Sequence, residues 1–166
     1  VGDENDGWRV AMVTFSFERG TAFVGEMLAS MQLVEQLAAV AKKVTRGSGT
    51  AWDDAGLRRD IGRAAADLDA LWALVKRNVT QATRSGVPGP GGSVFKLYYS
   101  EMRHRLGELS ERVFERAGLA LDDVGGMGNG PHVEGMLHAI SISIAAGTTQ
   151  IQRNIVAERI LGLPKD

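Results

Sequence analysis

Trp8 to Val44 reads WRVAMVTFSFERGTAFVGEMLASMQLVEQLAAVAKKV, a stretch without a proline. Its apolar residues recur at threes and fours. Trp8, Ala11, Met12, Phe15, Ala22, Phe23, Met27, Met31, Val34, Ala38 and Ala41 follow one helical period, with Arg19 and Glu26 in the same stripe. The spacing predicts an unusually long helix that packs along much of its length or bends at Gly20 or Gly25.

The rest of the chain follows the same grammar. Arg46-Gly47-Ser48-Gly49-Thr50 breaks the first helix, and Asp53 or Asp54 offers an N-cap for a second running to about Thr83. Ser85-Gly86-Val87-Pro88-Gly89-Pro90-Gly91-Gly92 is a loop. Ser93 then caps a third helix reaching about Ala117. After the Gly125-to-Pro131 break, a last helical region runs from about His132 to Leu161, interrupted near Gly147-Thr148-Thr149. No internal repeat and no period-two run stands out. The expectation is an all-α protein, an antiparallel bundle of four to five helices forming a single domain over 1–166.

Composition narrows the function. A net charge of -1 gives no polyanion-binding surface, so nucleic acid is not an expected partner. With no cysteine there is neither a disulfide nor a thiolate metal site, which suits a reducing compartment. The acidic start, Val1 to Asp6, lacks the pattern of a signal peptide, and no apolar run is long enough for a bilayer. The expected location is the cytoplasm, without a membrane partner.

Few residues stand out chemically. Between Val10 and Val34 only Glu18, Arg19 and Glu26 are charged, so a carboxylate on this helix is expected to lie mostly buried. Glu18 and Arg19 could simply satisfy each other or the backbone; alternatively Glu18 faces a pocket as a general base. His104, His132 and His138 do not have metal-ligand spacing. Arg103 and Arg105 beside Glu101 and Glu108 read as a solvated, salt-bridged face. Gly125-Gly126-Met127-Gly128 follows no predicted strand and makes a poor phosphate loop.

The closing run Gly147-Thr148-Thr149-Gln150-Ile151-Gln152-Arg153-Asn154-Ile155-Val156-Ala157-Glu158-Arg159-Ile160-Leu161-Gly162-Leu163-Pro164 resembles the end of acyl-CoA dehydrogenases. Gly7-Trp8-Arg9-Val10-Ala11 and Phe17-Glu18-Arg19-Gly20 are similar to the start of that family's C-terminal domain. The resemblance implies a helical domain that follows an N-terminal helical domain and a middle β-domain in a larger enzyme, so the isolated piece is expected to be inactive.

It also implies the chemistry: α,β-dehydrogenation of an acyl-CoA thioester with FAD, and an electron-transfer flavoprotein or similar acceptor as partner. Many members carry the base in a Tyr-Glu-Gly-Thr motif, but here Ala145-Ala146-Gly147-Thr148 stands there, with Ala146 in the glutamate's place. Glu18-Arg19 instead matches the base position of isovaleryl- and long-chain-acyl-CoA dehydrogenases. By that likeness Glu18 is the catalytic base and Arg19 shapes the acyl pocket.

Gly147, Thr148 and Gln150 match flavin-contacting positions, and Arg46 lies near an arginine that meets the flavin diphosphate across a subunit interface. Leu57-Arg58-Arg59 replaces the usual Phe-Gly and Phe-Gln elements, leaving Arg58 or Arg59 as a flavin cation or as surface charge. Asn129 takes the place of an aromatic in a Gly-Gly-x-Gly-aromatic turn. These departures leave an alternative open: a non-catalytic interface subunit of a heteromeric acyl-CoA dehydrogenase. Either way a homo- or hetero-oligomer is expected.

Overall fold

The computed structural model describes residues 2–21 and 24–165, without the side chains of residues 19–21. Six α-helices account for most of it: α1 (Gly7–Thr21), α2 (Val24–Ala41), α3 (Ala55–Ser85), α4 (Gly91–Phe114), α5 (Gly130–Ile144) and α6 (Thr149–Arg159). The long first helix is thus helical on both sides of 22–23, which lie outside the described residues. A two-residue antiparallel pair, β1 (Thr45–Arg46) and β2 (Gly49–Thr50), joins α2 to α3; periodicity is blind to elements so short. A 3-10 turn, Ala51–Asp53, follows it.

The caps explain the boundaries of α3. The Asp54 carboxylate accepts from Leu57 N at 3.0 Å, occupying a donor the first turn would otherwise leave free. That bond, first among its causes, holds the Asp54 carboxyl below its ordinary value. At the other end Gly86 takes a φ of 75° and its N–H closes on Ala82 O at 2.8 Å. Between the caps, Leu57, Ile61, Ala64, Leu68, Leu71 and Val75 form one buried stripe. Burying each of the larger side chains contributes about 2 kcal/mol.

Ser93 does not cap α4. The helix begins two residues earlier, after Pro90, and Ser93 is buried in its first turn with its N–H on Pro90 O. Proline presets the φ that a helix needs. Gly91 permits the early start, since a Cβ there would stand 2.3 Å from Asn78 Oδ1 of α3.

α4 is the axis of the bundle and packs against all the other α-helices. Phe95, Tyr99, Met102, Leu106, Leu109 and Val113 lie in the main core, while Arg103, Gly107 and Ser110 are buried on other faces of the helix. Arg103 therefore corrects the expectation of a solvated face. It is 7% exposed, donating from Nη1 to Ser30 Oγ of α2 at 2.9 Å and from Nη2 to Gly135 O of α5 at 3.0 Å. Arg105 does point outward, but pairs with Asp67 of α3, and Glu101 pairs with Arg153 of α6. α4 keeps one exposed face, with Glu101, Arg105 and Glu108 on it, and Arg103 falls outside that face. After α4 a 3-10 turn spans Glu115–Leu119.

Candidate functional site

Glu18 lies on α1, and its side chain is half-buried rather than enclosed. The helix presents large apolar groups to solvent along its length: Trp8, Val13, Phe15 and Phe17 are all exposed. A face of this kind leaves apolar area in water that other surfaces normally cover. One turn-and-a-half before the end of α1, Ser16 lines a hollow with Pro88, Gly89, Pro90, Ser93, Ile155 and Arg159. The middle of α1 therefore sits over the α3–α4 loop and the second half of α6. The side chain of Arg19 lies outside the described residues.

The second part of the site is the turn between α5 and α6. Ala146 adopts a φ of 54° and Gly147 one of 92°. For glycine this is free; for a residue with a Cβ it costs roughly 1–2 kcal/mol, which surrounding contacts must offset. Thr148 then becomes the N-cap of α6, its hydroxyl facing Ile151 N at 3.5 Å and its carbonyl accepting from Gln152 N. Thr148 is half-buried and Gln150 exposed. The structure thus brings Gly147, Thr148 and Gln150 together at one helix N-terminus, where unpaired N–H groups and the helix dipole favour an anion.

One residue of this turn escaped the sequence reading. Gln152 is fully buried, and its Nε2 donates to Ala146 O at 2.6 Å, with Gly147 O at 3.4 Å. The only hint in the sequence is a polar residue one turn after the Thr148 cap, on a side that the α5–α6 turn closes over.

The arginines stand apart from this turn. Arg46, on β1, donates from Nη2 to the carbonyl of Arg112 and pairs through Nε with Glu115 Oε1 at 2.9 Å. α6 is tied to α4 at Glu101, and eleven residues of helix separate that point from Arg112, about 16 Å of rise. Arg58 donates to Trp52 O at 2.5 Å. Arg59 is 69% exposed, with only a 3.8 Å contact to Asp60. Neither Arg46 nor Arg59 shares a described contact with 147–150.

The glycine-rich loop is filled from within. Asp123 accepts from Gly126 N at 2.8 Å and Gly128 N at 2.5 Å. Asn129 is fully buried and meets four backbone groups: the two hydrogens on its Nδ2 are shared among the carbonyls of Ala117, Ala120 and Asp122, and its Oδ1 accepts from Val124 N. The residue that departs from the family pattern thus anchors its own loop. Among the described residues no set of three His, Asp or Glu side chains could hold a metal, and no helix is long and apolar enough to cross a membrane.

Comparison with known proteins agrees with this architecture. Residues 5–161 match the model of the acyl-CoA dehydrogenase C-terminal domain. The chain is 34% identical to the acyl-CoA dehydrogenase IpdE1 of Mycobacterium tuberculosis, over 100% of this chain and 40% of that protein. With FadE34 of the same organism, also an acyl-CoA dehydrogenase, identity is 32% over 99% of this chain and 21% of that one. The chain thus spans two fifths or less of these curated relatives' length. Among solved structures, an FAD-dependent dehydrogenase superposes with a TM-score of 0.84 at 22% identity, covering 99% of this chain and 42% of that one. The ChsE4-ChsE5 complex from Mycobacterium tuberculosis gives 0.81 at 21% identity, covering 100% and 43%. At such identities these structures speak for the fold alone. Matched from residue 5 to residue 161, this chain belongs to the acyl-CoA dehydrogenase family, as its C-terminal helical domain.

Proposed function

We propose that this domain serves an FAD-dependent acyl-CoA dehydrogenase, with Glu18 as the base that removes the α-proton of the acyl thioester. The observation that carries the reading is the pairing of two positions. Glu18 stands half-buried on α1, while Ala146, at the family's other base position, has no group able to take a proton. Of the family's two base positions, Glu18 alone carries a carboxylate in this chain.

The reaction makes two demands on the protein. The α-proton is weakly acidic, so its acceptor must be held in contact with it and shielded from water. The exposed apolar residues beside Glu18 suit a wall that another domain completes, and on this reading the 166 residues alone are inactive. FAD, when bound, supplies the acceptor for the hydrogen leaving the β-carbon. The donor set at Gly147, Thr148 and Gln150 fits the anionic side of that cofactor. Arg46 and Arg59 are less suited, one already paired within the chain and the other far out in solvent. Arg19 is proposed to shape the acyl pocket. An electron-transfer flavoprotein or a similar acceptor would then reoxidise the enzyme.

A second reading has its own support. The inward Asn129 and the internally bonded Arg46 suit a subunit whose main task is assembly with a catalytic partner. Anaerobic addition of a panel of acyl-CoA thioesters to the flavin-loaded, full-length enzyme tests the first reading. Bleaching of the flavin by at least one thioester is expected. A flavin that every thioester leaves oxidised favours the second reading.

A further inference from the structure

Gln152 has no role in the reading above, yet it is the most enclosed polar side chain of the α5–α6 turn. All of its surface is buried, and its amide nitrogen meets two successive carbonyls, Ala146 O at 2.6 Å and Gly147 O at 3.4 Å. One NH2 group has two hydrogens, enough for both acceptors. The reverse orientation of the amide would set its oxygen against two carbonyl oxygens, so these bonds fix the orientation. Oε1 is buried without a partner among the described residues, so the side chain is held from its nitrogen end.

The consequence follows from the planarity of the peptide. In a trans peptide the C=O and the N–H point in opposite directions, and the described chain has no cis bond. Drawing the carbonyls of Ala146 and Gly147 toward Gln152 therefore turns the N–H groups of Gly147 and Thr148 away from it. Ala146 is left in the left-handed region, where a Cβ-bearing residue does not stay unless it is held.

We infer that Gln152 is a positioning residue: it holds the Ala146–Gly147 turn so that the N–H groups of Gly147 and Thr148 face the flavin. The inference rests on the proposed reading, which puts FAD at this turn. Gln152 itself touches neither cofactor nor substrate. It acts through two backbone groups.

The test is FAD affinity of the full-length apoprotein, measured beside its thermal midpoint. Wild type comes first: if it does not take up FAD, the proposed function fails and this inference with it. Given binding by wild type, Gln152→Met keeps the bulk but removes the donor. FAD affinity is expected to fall about tenfold or more, with the apoprotein still folding cooperatively. Adding Ala146→Gly removes the penalty on the left-handed turn and should restore part of that affinity. Equal affinity in Gln152→Met, or a loss that Ala146→Gly leaves untouched, would overturn the positioning role and leave Gln152 as packing.

If Gln152→Met does not fold, Gln152→Glu decides instead. Its ionised carboxylate repels the two carbonyls, whereas its protonated form can donate again. Burial at this enclosed position raises the introduced carboxyl above its ordinary range, so FAD affinity relative to wild type should rise as pH falls from about 8 to about 5. A flat ratio would contradict the inference.

Discussion

Arg103 of α4 and Ser30 of α2 meet inside the core, the guanidinium donating to the hydroxyl at 2.9 Å. Ser30 in turn lies 3.1 Å from the Tyr99 hydroxyl and donates to Glu26 O at 2.8 Å. One small hydroxyl thus links α2 to two residues of the central helix, and Arg103 extends the network to Gly135 of α5. Burial, the first of several causes, pushes the Tyr99 phenol up, so it stays protonated and able to share a hydrogen.

Removing the centre of that network should cost more than its size suggests. Ser30→Ala deletes one oxygen but leaves the buried Nη1 of Arg103 short of its acceptor. The expected loss is about 2–3 kcal/mol, read from denaturant unfolding. A loss near that of an exposed Ser→Ala change would mean the network contributes little.

Asn129 should be equally sensitive. Its Oδ1 accepts from Val124 N, and its two amide hydrogens are shared among the carbonyls of Ala117, Ala120 and Asp122, of which Ala117 O also accepts from Ala120 N. Asn129→Leu, with the same branched skeleton but larger and without hydrogen bonds, is expected to destabilise by about 3 kcal/mol. It should also open the segment from Leu119 to Met127 to limited proteolysis. An unchanged digestion pattern would count against the anchoring role.

His132 gives the domain a pH dependence on the acid side. The ring is 3% exposed, tilted at 52° against Phe114 with centroids 4.8 Å apart, and Ser110 Oγ lies near its Nδ1. Burial alone pushes its pKa down. A base whose folded pKa is depressed is favoured uncharged in the fold, so its contribution is intact above the unfolded value of about 6.5. That contribution is lost as pH drops below about 6.5 toward the folded pKa. The thermal midpoint should therefore fall on acidification. His132→Phe should flatten that fall; an unchanged slope would assign it to other groups.

The outer face of α5 carries Leu137, Ile140 and Ile144, each at least half exposed and spaced on one stripe. Such a stripe is expected to drive self-association. In size-exclusion chromatography with light scattering, Leu137→Glu with Ile144→Glu should shift the protein to a smaller species while leaving its circular dichroism intact. Persistence of the larger species would place the interface elsewhere.

Sequence periodicity located most of the helices because each burial stripe is written in local spacing. The Leu57-to-Val75 stripe and the Asp54 cap are examples: both are set by residues within one helix. Ser93 and Arg103 were misread for the opposite reason. Where α4 begins depends on Gly91 fitting against Asn78, and the fate of Arg103 depends on Ser30 and Gly135 from other helices. The candidate site was only half legible. A helix N-terminus at Thr148 follows from local chemistry, but Gln152 reaches back to carbonyls whose direction no residue pattern encodes. Glu18 was expected to be mostly buried, yet it is half-buried beside exposed apolar residues of α1.

The most direct test is turnover of an acyl-CoA by the flavin-loaded, full-length enzyme, comparing wild type with Glu18→Gln. The amide keeps the shape and cannot accept the α-proton as a base. Turnover is expected to fall by at least about a thousandfold with flavin content unchanged. Undiminished turnover in Glu18→Gln would contradict the assignment and move the base to another chain.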